Sequence, residues 1–247
     1  MNHEELIRRA DDLAARAEKT GSVTSTAFLT PAEQYALRTF RPRADCTVVF
    51  SGGVGGAERA CAFFLPDWME EAMFDPAETI RCVRVTAHFG APGHRDYLGA
   101  LLGMGVKREW IGDILVDGST AHVLCIKTVE PHLLTIEKVG RCGVKTAAVP
   151  LSAVPAPERK VRPVSFTVQS PRLDAVLAGL FHLSRTQAAE RIRTGDASLN
   201  YAECLRPDAE IRPGDIVSLR GCGKAEIKDL GGQSRKGRTY LTGEVYL

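Results

Sequence analysis

Between residues 4 and 18 apolar side chains return every three or four positions. Leu6, Ile7, Ala10, Leu13, Ala14 and Ala17 fall on one side of a helix, with acidic and basic residues on the other. Thr20-Gly21-Ser22 ends it. A second helix is expected from Thr30, where a Thr cap, Pro31 at the first helical position and Glu33 three residues after the cap make a start signal. Residues 46–50 (CTVVF) read as a short buried strand, followed by the run Gly52-Gly53-Val54-Gly55-Gly56, and 57–64 (AERACAFF) is expected to be helical.

From residue 80 element types alternate. Residues 80–89 form a strand, 94–105 a helix stopped by Gly105, 109–116 a turn into a strand, 121–127 a strand, 132–140 a helix ending at Gly140 and 144–151 a strand. The order β-α-β-β-α-β is the split pattern of ferredoxin-like domains. RNA-recognition motifs share it, but the expected strands lack the aromatic pair on which those motifs stack bases. Residues 152–163 hold three prolines and four charges and read as a stiffened linker. Beyond it come a strand at 164–168, a helix at 172–183 and a second helix capped by Ser184, with Gln187 at the capping-box position and a stop at Gly195. A strand at 197–200, a turn-rich connection and a strand at 216–221 complete the core, leaving a basic tail. The fold class is therefore α+β in three small domains: an N-terminal α/β domain (1–76), a ferredoxin-like domain (77–152), a linker (153–163) and a C-terminal domain with its tail (164–247).

Apolar residues at 44% and charged residues at 25% are the balance of a soluble globular chain, and no apolar run approaches bilayer length. The first residues lack the apolar centre of a signal peptide, so a cytoplasmic location without membrane attachment is expected. Seven scattered cysteines without a C-x-x-C pair argue for reduced, mostly buried thiols rather than a disulfide framework or a metal site. Charge is uneven: residues 158–247 carry 15 Lys and Arg against 11 Asp and Glu, and the remainder 17 against 19. A basic end points to an anionic partner.

Candidate chemistry sits at that end. Arg172 opens one helix and Arg185 the first turn of the next, where a cation opposes the helix dipole unless an anion docks there. Arg191 and Arg220 add charge to the same module, and Lys224, Lys228, Arg235, Lys236 and Arg238 extend a basic tail. Asp174 is read as a capping or pairing group of the helix corner, and Asn200 as either an RNA contact or a turn former. Arg95, Lys107 and Arg108 are candidates for a second contact. The glycine run at 52–56 lacks the ending of a nucleoside-triphosphate loop, so a tight turn is favoured. His94-Arg95-Asp96 is read as helix capping rather than catalysis. No catalytic residue, cofactor or metal ligand is assigned.

The blocks Arg172 to Ala178, Ser184 to Ala188, Ile192 to Asn200 and Pro213 to Gly221 resemble the RNA-binding domain named after ribosomal small-subunit protein four, here the S-four domain. Phe50 to Arg59, His94 to Ile114 and Arg235 to Arg238 resemble the YlmH family, so the likeness covers nearly the whole chain. Val54 stands where that family usually has an aromatic residue, and Ala91-Pro92-Gly93 departs from its usual lead-in. The resemblance implies a C-terminal S-four domain, with RNA contacts expected at Arg172, Ser184, Arg185, Gln187, Arg191, Asn200, Arg220, Lys224, Arg235, Lys236 and Arg238. It also implies association with ribosomal RNA of the large subunit, with stalled subunits holding peptidyl-tRNA as the target and a monomer off the ribosome. Two other readings stay open: an RNA-modifying enzyme of pseudouridine synthase or methyltransferase type, and a protein scaffold that binds no RNA.

Overall fold

The computed structural model describes residues 3–38, 40–157, 160–233 and 237–246. The chain divides into two compact units, Met1–Pro157 and Glu158–Leu247. It is a mixed α+β structure with three antiparallel sheets. Among the described residues, no helix is long and apolar enough to cross a membrane.

In the first unit, α1 (His3–Thr20) buries Leu6, Ala10, Ala14 and Ala17. Small side chains on this stripe let the helix lie close to the sheet. β1 (Thr24–Ser25) precedes α2 (Pro31–Arg38), whose expected capping box forms: Thr30 N donates to Glu33 Oε2 at 2.8 Å and Glu33 N to Thr30 Oγ1 at 3.3 Å. β2 (Cys46–Ser51) and β3 (Cys61–Pro66) complete a sheet in the order β1-β3-β2.

β3 corrects the helix expected at 57–64. Every residue of Cys61–Pro66 is buried. Ala62 and Phe64 pack with α1, whereas Cys61, Phe63 and Leu65 pack with Ile80, Cys82 and Leu124 from the next sheet. A strand covered on both faces is apolar at every position, and periodicity alone cannot separate it from a buried helix.

The second sheet contains β4 (Ile80–Ala87), β5 (Ile111–Asp117), β6 (Thr120–Ile126), β7 (Lys138–Val139) and β8 (Cys142–Val149), in the order β5-β6-β4-β8-β7. α3 (His94–Gly103) and the short α4 (Glu130–Leu133) are its helices. Tyr97, Leu101 and Leu133 pack with Val83, Val85 and Val123, so both helices cover one face. The helix expected at 132–140 is therefore only one turn, followed by a β7–β8 hairpin. Leu133, Ile136 and Val139 recur every three residues and each joins the core, but Gly140 at φ 58° turns the chain back and Val144 N bonds Glu137 O at 2.9 Å. Gly112 on β5 is required by a close approach: a Cβ there would lie 2.6 Å from the Phe28 ring.

The second unit is one six-stranded sheet, ordered β11-β10-β12-β13-β14-β9. It contains β9 (Val161–Val168), α5 (Leu173–Phe181), α6 (Arg185–Arg193), β10 (Ala197–Leu199), β11 (Ala202–Glu203), β12 (Ile216–Leu219), β13 (Gly223–Gln233) and β14 (Thr239–Tyr246). α5 buries Leu173, Val176, Leu177 and Leu180, and α6 adds Ala188 and Ile192. The Phe166 ring of β9 occupies the place a Cβ at Gly179 would take, which draws α5 onto the sheet. Two expectations change. β9 begins at Val161, inside the expected linker. The basic tail is the two strands β13 and β14, with β14 running antiparallel to β9 from Thr239 opposite Val168 to Tyr246 opposite Val161.

Candidate nucleic-acid interface

The α5–α6 corner brings Arg172 and Arg185 together on one carboxylate. Arg172 is the N-cap residue of α5, and Asp174 lies in its first turn. Arg185 Nη2 donates to Asp174 Oδ2 at 2.7 Å, and Arg172 Nε lies 3.5 Å from Asp174 Oδ1. Asp174 is 8% exposed at its side chain, whereas Arg172 is 43% and Arg185 56% exposed. The acid is inside and both cations reach solvent, with one positive charge in excess. The 3.5 Å approach is an ion pair without hydrogen-bond alignment, and the buried Arg172 Nε has no acceptor among the described residues.

Asp174 therefore has the pairing role expected of it, but the N-terminus of α5, which Arg172 opens, is not free. The first N–H groups of α5 are taken: Leu173 N donates to Ala209 O and Asp174 N to Pro207 O, both at 2.9 Å, and Ala175 N to Asp174 Oδ1 at 2.8 Å. At α6 the capping box closes, with Gln187 N on Ser184 Oγ at 3.2 Å and Ser184 N on Gln187 Oε1 at 3.0 Å. Buried backbone donors demand partners, and at α5 the fold supplies them. What α5 leaves for an anion is the pair of guanidinium groups. Ser184 and Gln187 hold the helix start.

A second aspartate repeats the arrangement. Arg191 Nε and Arg220 Nη1 each lie 3.3 Å from Asp196, on Oδ2 and Oδ1. Arg191 also donates to Cys222 Sγ at 3.1 Å and to the Arg220 carbonyl. Arg220 is 79% exposed at its side chain. Thus α6 carries one member of each arginine pair.

The remaining candidates divide sharply. Asn200 belongs to its turn: Nδ2 donates to Asp215 Oδ1 at 2.8 Å and Oδ1 accepts from Ile216 N at 2.9 Å. With Tyr201 it makes a two-residue hairpin turn, both at positive φ (52° and 68°). Lys224 lies over the rings of Tyr246 and Tyr201, at 4.8 and 5.9 Å. Lys228 is held charged by hydrogen bonding to Glu226 and Glu244 and is neutralised by them, at 2.9 and 3.2 Å. Arg238 donates to Thr167 O at 2.7 Å. Arg235 and Lys236 lie outside the described residues.

In the first unit Arg95 and Lys107 are exposed, with Lys107 over the Trp110 ring at 5.2 Å. Arg108 is structural: Nη1 donates to Ile111 O at 2.6 Å and lies 3.3 Å from Gly112 O, and burial, then neighbouring Arg59, lowers its pKa. The glycine run is the tight connection between β2 and β3, with Gly53 and Gly56 at φ 89° and 78°; no helix follows to receive a phosphate. Arg193 and Arg206 were not singled out by sequence reasoning. Both are exposed, and Arg206 adjoins the Pro207 carbonyl that receives Asp174 N. Only their place in the local charge count marked them. Among the described residues no group of three His, Cys, Asp or Glu side chains gathers as a metal site.

Residues 77–153 match the family model described as "Putative RNA-binding domain in YlmH", and residues 2–64 match "YlmH, N-terminal". The ribosome-associated protein quality control protein P2 of Bacillus subtilis (strain 168) is 30% identical over 220 residues, covering 89% of this chain and 86% of that protein. A solved structure, described as the cell division protein ylmH from Streptococcus pneumoniae, is 17% identical with a TM-score of 0.49, covering 60% of this chain and 92% of that one. With two family models and a full-length relative in agreement, the chain belongs to the YlmH family.

Proposed function

We propose that this protein is a non-catalytic RNA-binding factor that associates with ribosomal RNA on the large ribosomal subunit and acts on stalled subunits holding peptidyl-tRNA. Its domains under this reading are an N-terminal α/β domain (1–76), a ferredoxin-like domain (77–152), a linker that ends before Val161 and an S-four type RNA-binding domain that includes β9 from Val161 onward. The strand order β8-β4-β6-β5, with split crossovers through α3 and α4, supports the ferredoxin-like assignment. The quality-control process comes from the name of the Bacillus relative. A ribosome-bound factor of this kind works in the cytoplasm, as a monomer when free.

The observation that carries the reading is the arginine pair on buried Asp174. Guanidinium forks suit phosphate oxygens, and a fork already held by a carboxylate loses little freedom on binding. Each aspartate offsets one of its two arginines, so Arg172, Arg185, Arg191 and Arg220 present a net positive surface. Lys224 is a further candidate RNA contact, and Arg235, Lys236 and Arg238 extend the charge.

The test is co-sedimentation of the full chain with separated ribosomal subunits. Wild type is expected with the large subunit, and an Arg185→Glu, Arg220→Glu double variant is expected to stay at the top of the gradient while keeping its circular dichroism. Binding should weaken with salt at a log–log slope of roughly −3 to −5, for four or five phosphates. Wild type that ignores large subunits, or a double variant that binds them as well, overturns the function.

A further inference from the structure

Among the described residues of the first unit, no helix or second sheet covers one half-face of the sheet β5-β6-β4-β8-β7, and its chemistry is one-sided. α3 and α4 lie on the face that carries Val83, Val85 and Val123. On the opposite face Ile80, Cys82 and Leu124 pack with β3, but this apolar contact stops there. Beyond it the register places Arg84 opposite His122 and Ala147, and Thr86 opposite Thr120 and Lys145. Directly paired residues of an antiparallel sheet share a face. The Thr86 and Thr120 hydroxyl oxygens, 3.4 Å apart, fit that placement. Lys138, opposite Gly143, extends the row onto β7.

Arg84, Lys138 and Lys145 are all exposed, and none has an ion-pair partner among the described residues. Asp117, opposite Thr120, is the one acid at these register positions among the described residues. At the centre, His122 Nδ1 is buried with no hydrogen-bond partner among the described residues. At the end of β4 exposed His88 lies on the same face, its ring beside Gly143. This surface combines cations on neighbouring strands, two hydroxyls and an unsatisfied imidazole nitrogen.

We propose that the open half-face formed by Arg84, Lys138, Lys145 and His122 is a second RNA-binding surface, which takes the backbone of a single-stranded segment. The proposal rests on the reading of the protein as an RNA-binding factor and adds where the first unit contacts RNA. Three neighbouring strands span about 10 Å, so the cations are spaced for successive phosphates of one chain rather than for a single ion.

The test measures binding of the full chain to a short fluorescein-labelled single-stranded RNA of mixed sequence. Arg84→Glu with Lys145→Glu is expected to weaken binding about tenfold or more and to make the salt slope shallower by about 1.4, for two lost phosphate contacts on a single strand. Arg84→Gln with Lys145→Gln carries the same test should the charge reversal unfold the protein. Unchanged affinity and slope in the sheet variants overturns the proposal, and an acidic protein then becomes the occupant to seek. Wild type that sediments with large subunits yet ignores the oligonucleotide also overturns it, while leaving the proposed function standing. Failure in both assays removes both.

Discussion

The two units use arginine in opposite ways. In the first, Arg59 donates from Nη2 to Phe28 O at 2.8 Å and from Nε to Ile111 O at 3.2 Å, beside Arg108 on the same Ile111 carbonyl. Both have neutral acceptors and lowered pKa values, with burial the main cause. In the second, four arginines share two carboxylates, and Arg172, Arg185 and Arg220 keep much of their side chains in water. An arginine that ties down carbonyls holds a fold together. One that shares an acid with a second arginine keeps charge available in a fixed place. Motif spacing sees only the residue type, and the acceptor decides the role.

Substitutions that separate holding from presenting can break this contrast. The largest stability effect is expected for Arg59→Ala, which strips the Phe28 carbonyl of its side-chain donor, leaves the Ile111 carbonyl to Arg108 alone and should cost about 3 kcal/mol. Urea unfolding should reveal this loss, with RNA affinity of the folded fraction unchanged. Asp174→Ala comes next, at about 2 kcal/mol, less than a fully buried pair because both arginines are half in solvent. Its sharper readout is RNA binding, which should weaken although net charge becomes more positive; a gain in affinity would show that the carboxylate only opposes the ligand. Asp196→Ala should cost about 1 kcal/mol in thermal unfolding, since that acid is 25% exposed and Arg220 79%.

The smallest effect concerns His122, whose pKa is lowered by burial first and then by Arg84. A histidine with a depressed folded pKa binds fewer protons folded than unfolded. Its contribution is therefore complete above the ordinary value of 6.5 and is lost as pH falls below it through the folded value. His122→Gln should flatten that part of the pH–stability curve in chemical denaturation.

The sequence made α1, the capping boxes at Thr30 and Ser184, the strands β4, β5 and β6 and the pairing role of Asp174 legible, because each rests on local spacing. β3 was misread because burial on both faces erases alternation. The hairpin after α4 was misread because three-residue spacing of Leu133, Ile136 and Val139 imitates a helix. β13 and β14 were passed over because their lysines and arginines drew attention from the alternation of Ala225, Ile227, Leu241, Gly243 and Val245. At the candidate interface, residue types were readable and partners were not. No spacing rule pairs Arg191 with Arg220, or reveals that Asn200 is committed to Asp215 and Ile216.

The placement of β14 between β13 and β9 has a consequence for biosynthesis. Val161 waits for Tyr246, so β9 has no neighbour in its sheet until β14 has left the exit tunnel. The helical corner, closed by contacts between adjacent segments, can form while the chain is still being extended, whereas sheet closure depends on a distant pairing and is slow. A nascent molecule would thus acquire its helical corner before its last strand pairing, and translation speed through β13 and β14 would set how long β9 stays open to aggregation.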